Sequence, residues 1–122
     1  MPNKVFLNKD GIVEQTCEGD QTLASIQDLI KDTDEITAKL QEQKKKVLIL
    51  TDLFRVRNAD YGSKKASLAG LTKHHYDRVA IVGASPFMKL LSGSIIEAAG
   101  AAERVKNFDT RETALSWLSE GK

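Results

Sequence analysis

The sequence predicts an α/β domain in which helices pack on a mixed, mostly parallel β-sheet. The β-branched run Arg78–Val82 is followed, from Ser85 onwards, by a long apolar pattern with helical spacing. The run Val105–Phe108 leads in the same way, from Asp109 onwards, into a shorter helical pattern. A strand, a turn and a helix in repeated succession are typical of a parallel sheet that is covered by helices.

The first two strands are predicted to form a hairpin. Lys4–Asn8 and Ile12–Cys17 are the candidate strands, and Gly11 in the turn between them is free to adopt a positive φ angle. Gly19 and Asp20 are expected to end this hairpin.

A long helix is predicted after the hairpin. Thr22 is suited to be its N-cap, and apolar residues at helical spacing continue to about Gln43. The charged segment Lys31–Glu35 interrupts the apolar stripe and predicts a kink or a break. Lys44–Lys46 are expected in the last turn, where cations suit the negative end of the helix dipole.

The apolar run Val47–Leu50 predicts a central strand that is covered on both faces. This strand is expected to end at Thr51-Asp52. The polar segment Arg55–Asp60 is then expected to be a loop, which leads into a second helix from about Tyr61 to Lys73.

Two further helices complete the predicted order. Ser85 and Pro86 are the residue types preferred at an N-cap and at the first helical position, and Gly100 suits the left-handed position that ends a helix. Asp109 is expected to begin the last helix in a capping box with Glu112. The order is therefore ββαβαβαβα, with four helices, and residues 1–122 are predicted to form a single domain.

Composition argues against several classes of protein. The chain has 122 residues, of which 41% are hydrophobic and 29% are charged, as expected for a globular domain. Its 18 basic and 17 acidic residues give a formal net charge of +1, which argues against a nucleic-acid partner because such partners usually bind a basic face. No apolar run approaches the roughly 20 residues that a membrane span requires.

The chain has one cysteine, Cys17, which excludes an intrachain disulfide and a thiolate metal cluster. The first residues lose their apolar character too early for a secretory signal. These observations predict a cytoplasmic protein, and neither a metal nor a cofactor is expected.

The residues and their order resemble the STAS domain, the fold of bacterial anti-sigma factor antagonists. The similar segments are Val47–Asp52, Asp77–Gly83 and Val105–Leu118, and their order and spacing are more specific than any one segment. The chain looks most like an uncharacterised bacterial branch of this fold, which is termed STAS-like and grouped with the CRAL-TRIO lipid-transfer fold. The resemblance spans nearly the whole chain.

The resemblance implies a protein that binds rather than catalyses. Anti-sigma factor antagonists engage a partner kinase through the region after the central strand, and phosphorylation of a serine that starts the second helix switches this contact. The family motif is Asp-Ser, then Ser or Thr, then Gly, whereas this chain has Asp60-Tyr61-Gly62-Ser63. Tyr61 takes the acceptor position and Ser63 reaches it only by a shift in register, which argues against the switch.

Asp52 is expected at the carboxyl end of the central strand, where open α/β sheets usually bind ligands. Two interpretations are open: Asp52 contacts a ligand or partner, or it caps the turn that follows. An enzyme would need Asp52 to converge with His74 or His75 in one cleft. Adjacent histidines at a helix end point in different directions, which does not favour a paired acid–base function.

The third predicted helix has more apolar surface than docking on a sheet requires. Its apolar residues spread over roughly 240° of the circumference, whereas a docked helix needs a stripe of only about 100°. A neighbouring helix, a second subunit or a ligand must cover the surplus. Phe87, Met88, Leu91 and Ile95 are therefore predicted contact residues, with Met88 or Leu91, together with Ile95, outside the monomer core.

The leading hypothesis is a non-enzymatic regulatory module that binds a protein partner or a small apolar ligand. It is expected to be a homodimer or a monomer with an occupied apolar groove. Its predicted contacts are Asp52, Asp60, Tyr61 and Ser63, together with the third helix. The alternative is a carrier of lipids or other apolar ligands, which the CRAL-TRIO similarity implies. A small α/β enzyme that uses Asp52 and one of the two histidines is the third hypothesis.

Overall fold

The computed structural model describes residues 3–73 and 75–122, and within them it contains five β-strands and four α-helices. In chain order these are β1 (Lys4–Leu7), β2 (Ile12–Gln21), α1 (Leu23–Glu42), β3 (Leu48–Ala59), α2 (Tyr61–Leu71), β4 (Arg78–Val82), α3 (Pro86–Ala98), β5 (Val105–Phe108) and α4 (Arg111–Glu120). The predicted order ββαβαβαβα is confirmed. Within these described residues, no helix has both the length and the apolar character needed to cross a membrane.

The strands form one sheet in the order β1-β2-β3-β4-β5. β1 and β2 are antiparallel, and all other neighbours are parallel, so the predicted mixed, mostly parallel sheet is confirmed. Each of the strands β2 to β5 is followed by a helix. The carboxyl ends of these strands and the first turns of the helices therefore lie at the same edge of the sheet.

Both faces of the central strands are buried, because successive side chains of a strand point to opposite faces. On one face, Ile49 and Val79 belong to a core cluster with residues of α1, α2 and α3. On the other face, Leu48 and Leu50 belong to a cluster with Leu118 of α4. The run Val47–Leu50 is therefore covered on both faces, as its composition predicts.

The strands β2 and β3 extend further than the sequence predicts. β2 continues past the expected end of the hairpin to Gln21, and β3 continues through the expected loop to Ala59. Residues Glu18–Gln21 pair in parallel with Arg55–Ala59, with irregular register. This two-stranded extension is called the β2–β3 ribbon below.

Ion pairs across the ribbon explain why the loop prediction was wrong. Arg57 lies 3.0 Å from Asp20, and Arg55 lies 3.9 Å from Glu18. Opposite charges on facing strands favour pairing by a few tenths of a kcal/mol up to about 1 kcal/mol. The charges that suggest a solvated loop along the chain are therefore partners across two strands.

The helix α1 is continuous from Leu23 to Glu42, so the predicted break was wrong. The middle of α1 is anchored by Thr33, which is fully buried. The Thr33 hydroxyl donates to the Leu29 carbonyl at 2.7 Å, and it accepts a hydrogen bond of 2.8 Å from the Gln15 side chain on β2. A polar contact with the sheet thus replaces the apolar stripe where the sequence is most charged.

Two predictions about the ends of helices were also wrong. Lys44–Lys46 follow α1 rather than forming its last turn, and Lys44 has a φ angle of +57°. The Lys45 N–H donates to the Leu40 carbonyl at 2.9 Å, which is the bond of a Schellman motif. Thr110, and not Asp109, is the N-cap of α4.

Candidate functional site

A cavity of about 210 Å³ lies at the carboxyl edge of the sheet. Its walls include Arg57–Ala59 of β3, the turn Gly83–Ser85 between β4 and α3, and residues Ser63 of α2 and Met88 of α3. Cys17 of β2 also lines it. This is the edge at which open α/β sheets usually bind ligands.

Two helices begin at the cavity, and a side chain caps each of them. The Asp60 carboxylate accepts a hydrogen bond of 2.7 Å from the Ser63 backbone N–H at the start of α2. The Ser85 hydroxyl accepts one of 3.1 Å from the Met88 N–H at the start of α3, which confirms the N-cap predicted for Ser85. Because helix N-termini are the positive ends of the helix dipoles, both favour negative charge at this edge.

Gly83 holds the turn between β4 and α3 directly against β3. Its φ angle is +79°, and a Cβ atom at this position would lie 2.5 Å from the backbone nitrogen of Phe54. Glycine is therefore needed both for the backbone conformation and for the close approach. The turn ends β4 at Val82, while β3 continues beyond it.

Four large apolar side chains are exposed on β3, α2 and α3 beside the cavity. They are Phe54 at 57%, Tyr61 at 58%, Phe87 at 52% and Leu90 at 77% exposure. Phe54 packs beside Gly83, and the Lys64 ammonium of α2 lies 4.6 Å from the centroid of the Phe87 ring. These contacts place the first turns of α2 and α3 and the start of the ribbon next to one another. The four side chains are called the apolar rim below.

Comparison with known proteins identifies the family. A family model described as SpoIIAA-like matches residues 12–119. This chain belongs to the SpoIIAA-like family. The resemblance to the STAS-like fold of anti-sigma factor antagonists is thereby confirmed.

The fold also matches a solved structure. It is similar to that of an uncharacterised protein from the DUF3478 family with a SpoIIAA-like fold from Shewanella loihica PV-4. The identity is 18% and the TM-score is 0.63, over 95% of this chain and 91% of that chain. No curated protein matches the sequence.

In this SpoIIAA-like chain, the segment compared with the phosphorylation motif forms the start of α2. Tyr61 is the first residue of the helix and is exposed. Ser63 is only 1% exposed, and its hydroxyl donates to the Asp60 carbonyl at 2.9 Å. A kinase therefore cannot reach Ser63 without opening the first turn of α2, whereas Tyr61 is accessible.

Asp52 supports the rim rather than lining the cavity. It is half-buried, and its carboxylate accepts a hydrogen bond of 2.9 Å from the Phe54 N–H. The geometry therefore supports the second interpretation of Asp52, in which it caps the turn that follows. Asp52 thereby fixes the backbone from which Phe54 projects.

The predicted contact residues of α3 separate into two groups. Phe87 is exposed, but Met88 is 8% exposed and belongs to the core, while Leu91 and Ile95 are half-buried and pack against that core. The expectation that Met88 lies outside the core was therefore wrong, whereas Leu91 and Ile95 lie at the edge of the core. Leu90, which was not among the predicted contacts, is the most exposed apolar residue of the helix. The arc is wide because α3 packs on both the sheet and α2, which leaves Phe87 and Leu90 uncovered.

Sequence reasoning missed Cys17 as part of the site. The residue is 1% exposed, and burial, with a smaller contribution from the charge of Asp52, raises the pKa of its thiol from 9.0 to about 11. The thiol is therefore neutral near pH 7, and it contributes apolar surface to the cavity. Its position in a strand was predicted, but its contact with the cavity depends on the unpredicted ribbon.

The histidine that the structure describes lies far from Asp52. His75 is near the amino end of β3, because neighbouring Asp77 accepts a hydrogen bond of 2.7 Å from the Val47 N–H. The five residues from Val47 to Asp52 span about 16 Å of strand. Burial, and then the charge of Lys73, lowers the pKa of His75. His74 lies outside the described residues.

These positions do not assemble the acid–base site that the enzyme hypothesis requires of Asp52 and His75. Within the described residues, no group of three or more histidine, cysteine, aspartate and glutamate side chains is arranged to hold a metal ion. The chemistry that the edge offers is instead apolar contact, main-chain hydrogen bonding and attraction of negative charge.

Proposed function

We propose that this protein is a non-enzymatic binding module whose protein partner docks on the apolar rim. The observation that supports this proposal most directly is the exposure of Phe54, Tyr61, Phe87 and Leu90 around one end of the sheet. Single exposed apolar side chains are ordinary, but a group of them is typical of interaction sites. Aromatic residues also dominate the binding energy of many protein interfaces.

The family supports the same proposal. The SpoIIAA-like fold often serves as a regulatory module that interacts with proteins, and it is typically not catalytic. A partner that docks at the rim would cover the first turns of α2 and α3. Any change in those turns, such as modification of Tyr61, would then alter the affinity for the partner.

The predicted contact residues have different proposed roles. Tyr61 and Phe87 contact the partner directly because both are exposed. Asp60 fixes the first turn of α2 through its bond to the Ser63 N–H, and Ser63 packs beneath that turn. Asp52 holds the backbone of Phe54.

The remaining predicted residues of α3 are buried or half-buried and would affect binding only indirectly. Met88 is buried, and Leu91 and Ile95 pack against the same core. Their proposed role is to fix α3 so that Phe87 and Leu90 face the partner. The predicted homodimer remains a proposal as well, in which a second copy of the chain is the partner at the rim.

A carrier of lipids or other apolar ligands receives less support. Sites for drug-sized ligands usually measure about 300–1,000 Å³. The cavity at the carboxyl edge measures about 210 Å³, and its lining includes Arg57, Asn58 and Lys64. A long acyl chain needs more apolar volume than this cavity supplies. Native mass spectrometry that detects a co-purifying apolar molecule would reverse this preference.

Comparative affinity capture from the native lysate tests the proposal. The bait proteins are the wild type, the rim variant Phe87→Glu and the control Leu7→Glu, which changes an exposed apolar residue on β1. Both variants should stay folded because exposed positions usually cost under about 0.5 kcal/mol. We expect at least one protein to be captured by the wild type and by Leu7→Glu but not by Phe87→Glu.

Two results contradict the proposal. One is equal retention of every captured protein by Phe87→Glu and the wild type. The other is a reproducible hydrolase or transferase activity that disappears in Asp52→Ala, since a binding module has no turnover to lose.

A further inference from the structure

One side of β3 lacks a partner strand over half of its length. β4 pairs with β3 only from Leu48 to Asp52, whereas β3 continues to Ala59 and pairs there with β2 alone. Among the residues that the structure describes, no strand pairs with the outer side of Leu53–Ala59. Main-chain N–H and C=O groups on such an edge are a template for another strand.

The gap beside this edge exists because of Gly83. The positive φ angle of Gly83 turns the chain out of the sheet directly after Val82, and the turn lies against Phe54. Beyond the turn, Arg57–Ala59 of the edge and Gly83–Ser85 line the same cavity. An extended peptide that continued the line of β4 would therefore run from the rim along the edge and over the cavity.

The cavity favours a negatively charged group. Lys64 lines it, and within the described part of the chain no carboxylate lies within ion-pair distance of the Lys64 ammonium. The first turn of α3, which the neutral Ser85 caps, adds the positive end of a helix dipole, whereas the Asp60 carboxylate already caps α2. Arg57 also lines the cavity and is paired with Asp20 on the surface.

A serine hydroxyl at the cavity is also available to a ligand. Ser67 lines the cavity, is only 9% exposed, and makes no side-chain hydrogen bond with the residues that the structure describes. Among the described residues, the fully buried side-chain atom without a hydrogen-bond partner is Asn107 Oδ1, so the Ser67 hydroxyl is accessible rather than sealed in the core. A ligand oxygen in the cavity would accept a hydrogen bond from this hydroxyl.

We infer that the partner presents an extended peptide segment that pairs with the Arg55–Ala59 part of the β3 edge and places a carboxylate in the cavity. This inference rests on the proposed function and specifies the form of the partner. Main-chain hydrogen bonds to the edge provide affinity, and the carboxylate selects the sequence. The carboxylate belongs to an Asp or Glu side chain or to the C-terminus of the peptide.

Selection from a phage-displayed library of random peptides of about ten residues, which is the upper end of usual strand lengths, tests the inference. Selected peptides are synthesised with a free or an amidated C-terminus and with N-methyl groups at alternate backbone nitrogens. We expect N-methylation to weaken binding by at least about tenfold when it falls on the alternate residues whose N–H groups face the edge, because main-chain hydrogen bonds to the edge are lost. Amidation weakens binding only if the C-terminal carboxylate is the one that occupies the cavity.

Matched variants of neighbouring lysines locate the carboxylate. Lys64→Gln should weaken binding of the selected peptides by about fivefold, as expected for loss of a partly exposed ion pair. Lys65→Gln is the control, because Lys65 is exposed and does not line the cavity. A larger effect of Lys65→Gln than of Lys64→Gln would overturn the placement of the carboxylate.

Three outcomes overturn the inference, and together they distinguish it from the proposed function. If no peptide is selected while a captured protein binds in a manner that depends on Phe87, the partner docks as a folded surface and only the peptide inference fails. If selected peptides bind with equal affinity after N-methylation of either alternate set, strand pairing is excluded. If neither peptides nor a Phe87-dependent protein bind, both proposals fail together.

Discussion

Substitution of Gly83 by alanine tests whether the turn between β4 and α3 determines the shape of the candidate site. The added Cβ atom would lie 2.5 Å from the Phe54 nitrogen and 2.8 Å from the Phe54 Cα atom, so the backbone of β3 or the turn must move. The left-handed conformation costs a residue with a side chain about 1–2 kcal/mol. Overpacking against a fixed backbone costs a further 1–3 kcal/mol or so.

The sum is a loss of about 2–5 kcal/mol in the free energy of unfolding, which is a large part of the roughly 5–15 kcal/mol typical of a domain. Urea denaturation followed by circular dichroism measures this loss directly. Because the clash is at Phe54, the variant should also lose affinity for whatever binds at the apolar rim.

Gly11→Ala is the matched control for this measurement. Gly11 has a φ angle of +82°, but a Cβ atom there would meet no atom within 4 Å. Gly11→Ala should therefore cost only the conformational part, about 1–2 kcal/mol. Equal destabilisation by the two variants would refute the argument that close approach to β3 makes glycine necessary at position 83.

Three further predictions concern the core and a helix end. Met88→Ala should lower the free energy of unfolding by about 2–5 kcal/mol, because Met88 is buried. Leu90→Ala should lower it by under about 0.5 kcal/mol, because Leu90 is exposed. Similar losses for the two variants in urea denaturation would contradict the assignment of the α3 faces. Lys44→Gly should raise the thermal midpoint, because the left-handed conformation of Lys44 costs up to about 1 kcal/mol and glycine adopts it without this cost. The pKa of Cys17 rises from 9.0 to about 11 on folding, so its contribution to stability is complete below pH 9 and is lost as the pH rises towards 11. Cys17→Ala should lose stability less steeply over that interval, and identical pH dependence of the two proteins would contradict the burial of the thiol.

The sheet and the helix order could be predicted from the sequence because their signals are local. The apolar run Val47–Leu50 is buried on both faces, as its continuous apolar character indicates. Capping residues such as Ser85 and the helix-ending Gly100 act on groups a few residues away along the chain. The structure confirms both of them.

The β2–β3 ribbon could not be predicted in the same way. Arg55 and Arg57 resemble a solvated loop until Glu18 and Asp20 face them from another strand. Contacts between segments that are distant in sequence leave little trace in either segment alone.

The candidate site depends on these distant contacts. The start of α2 was predicted as a contact region, and the structure places Asp60, Tyr61 and Ser63 there. The cavity also needs the ribbon and the close approach of Gly83 to Phe54, which the sequence pattern did not reveal. The surplus apolar surface of α3 was recognised, but the choice between Met88 and Leu90 as the exposed residue depends on how the helix is rotated against the sheet and α2.

Hydrogen exchange of the backbone amides, measured with and without the captured partner, tests the central claim most directly. We expect slower exchange in the partner complex for Leu53–Ser63 and for the first turns of α3, with little change in α4. Slower exchange along β1 or α4, with unchanged exchange at the apolar rim, would show that the partner binds elsewhere on the molecule.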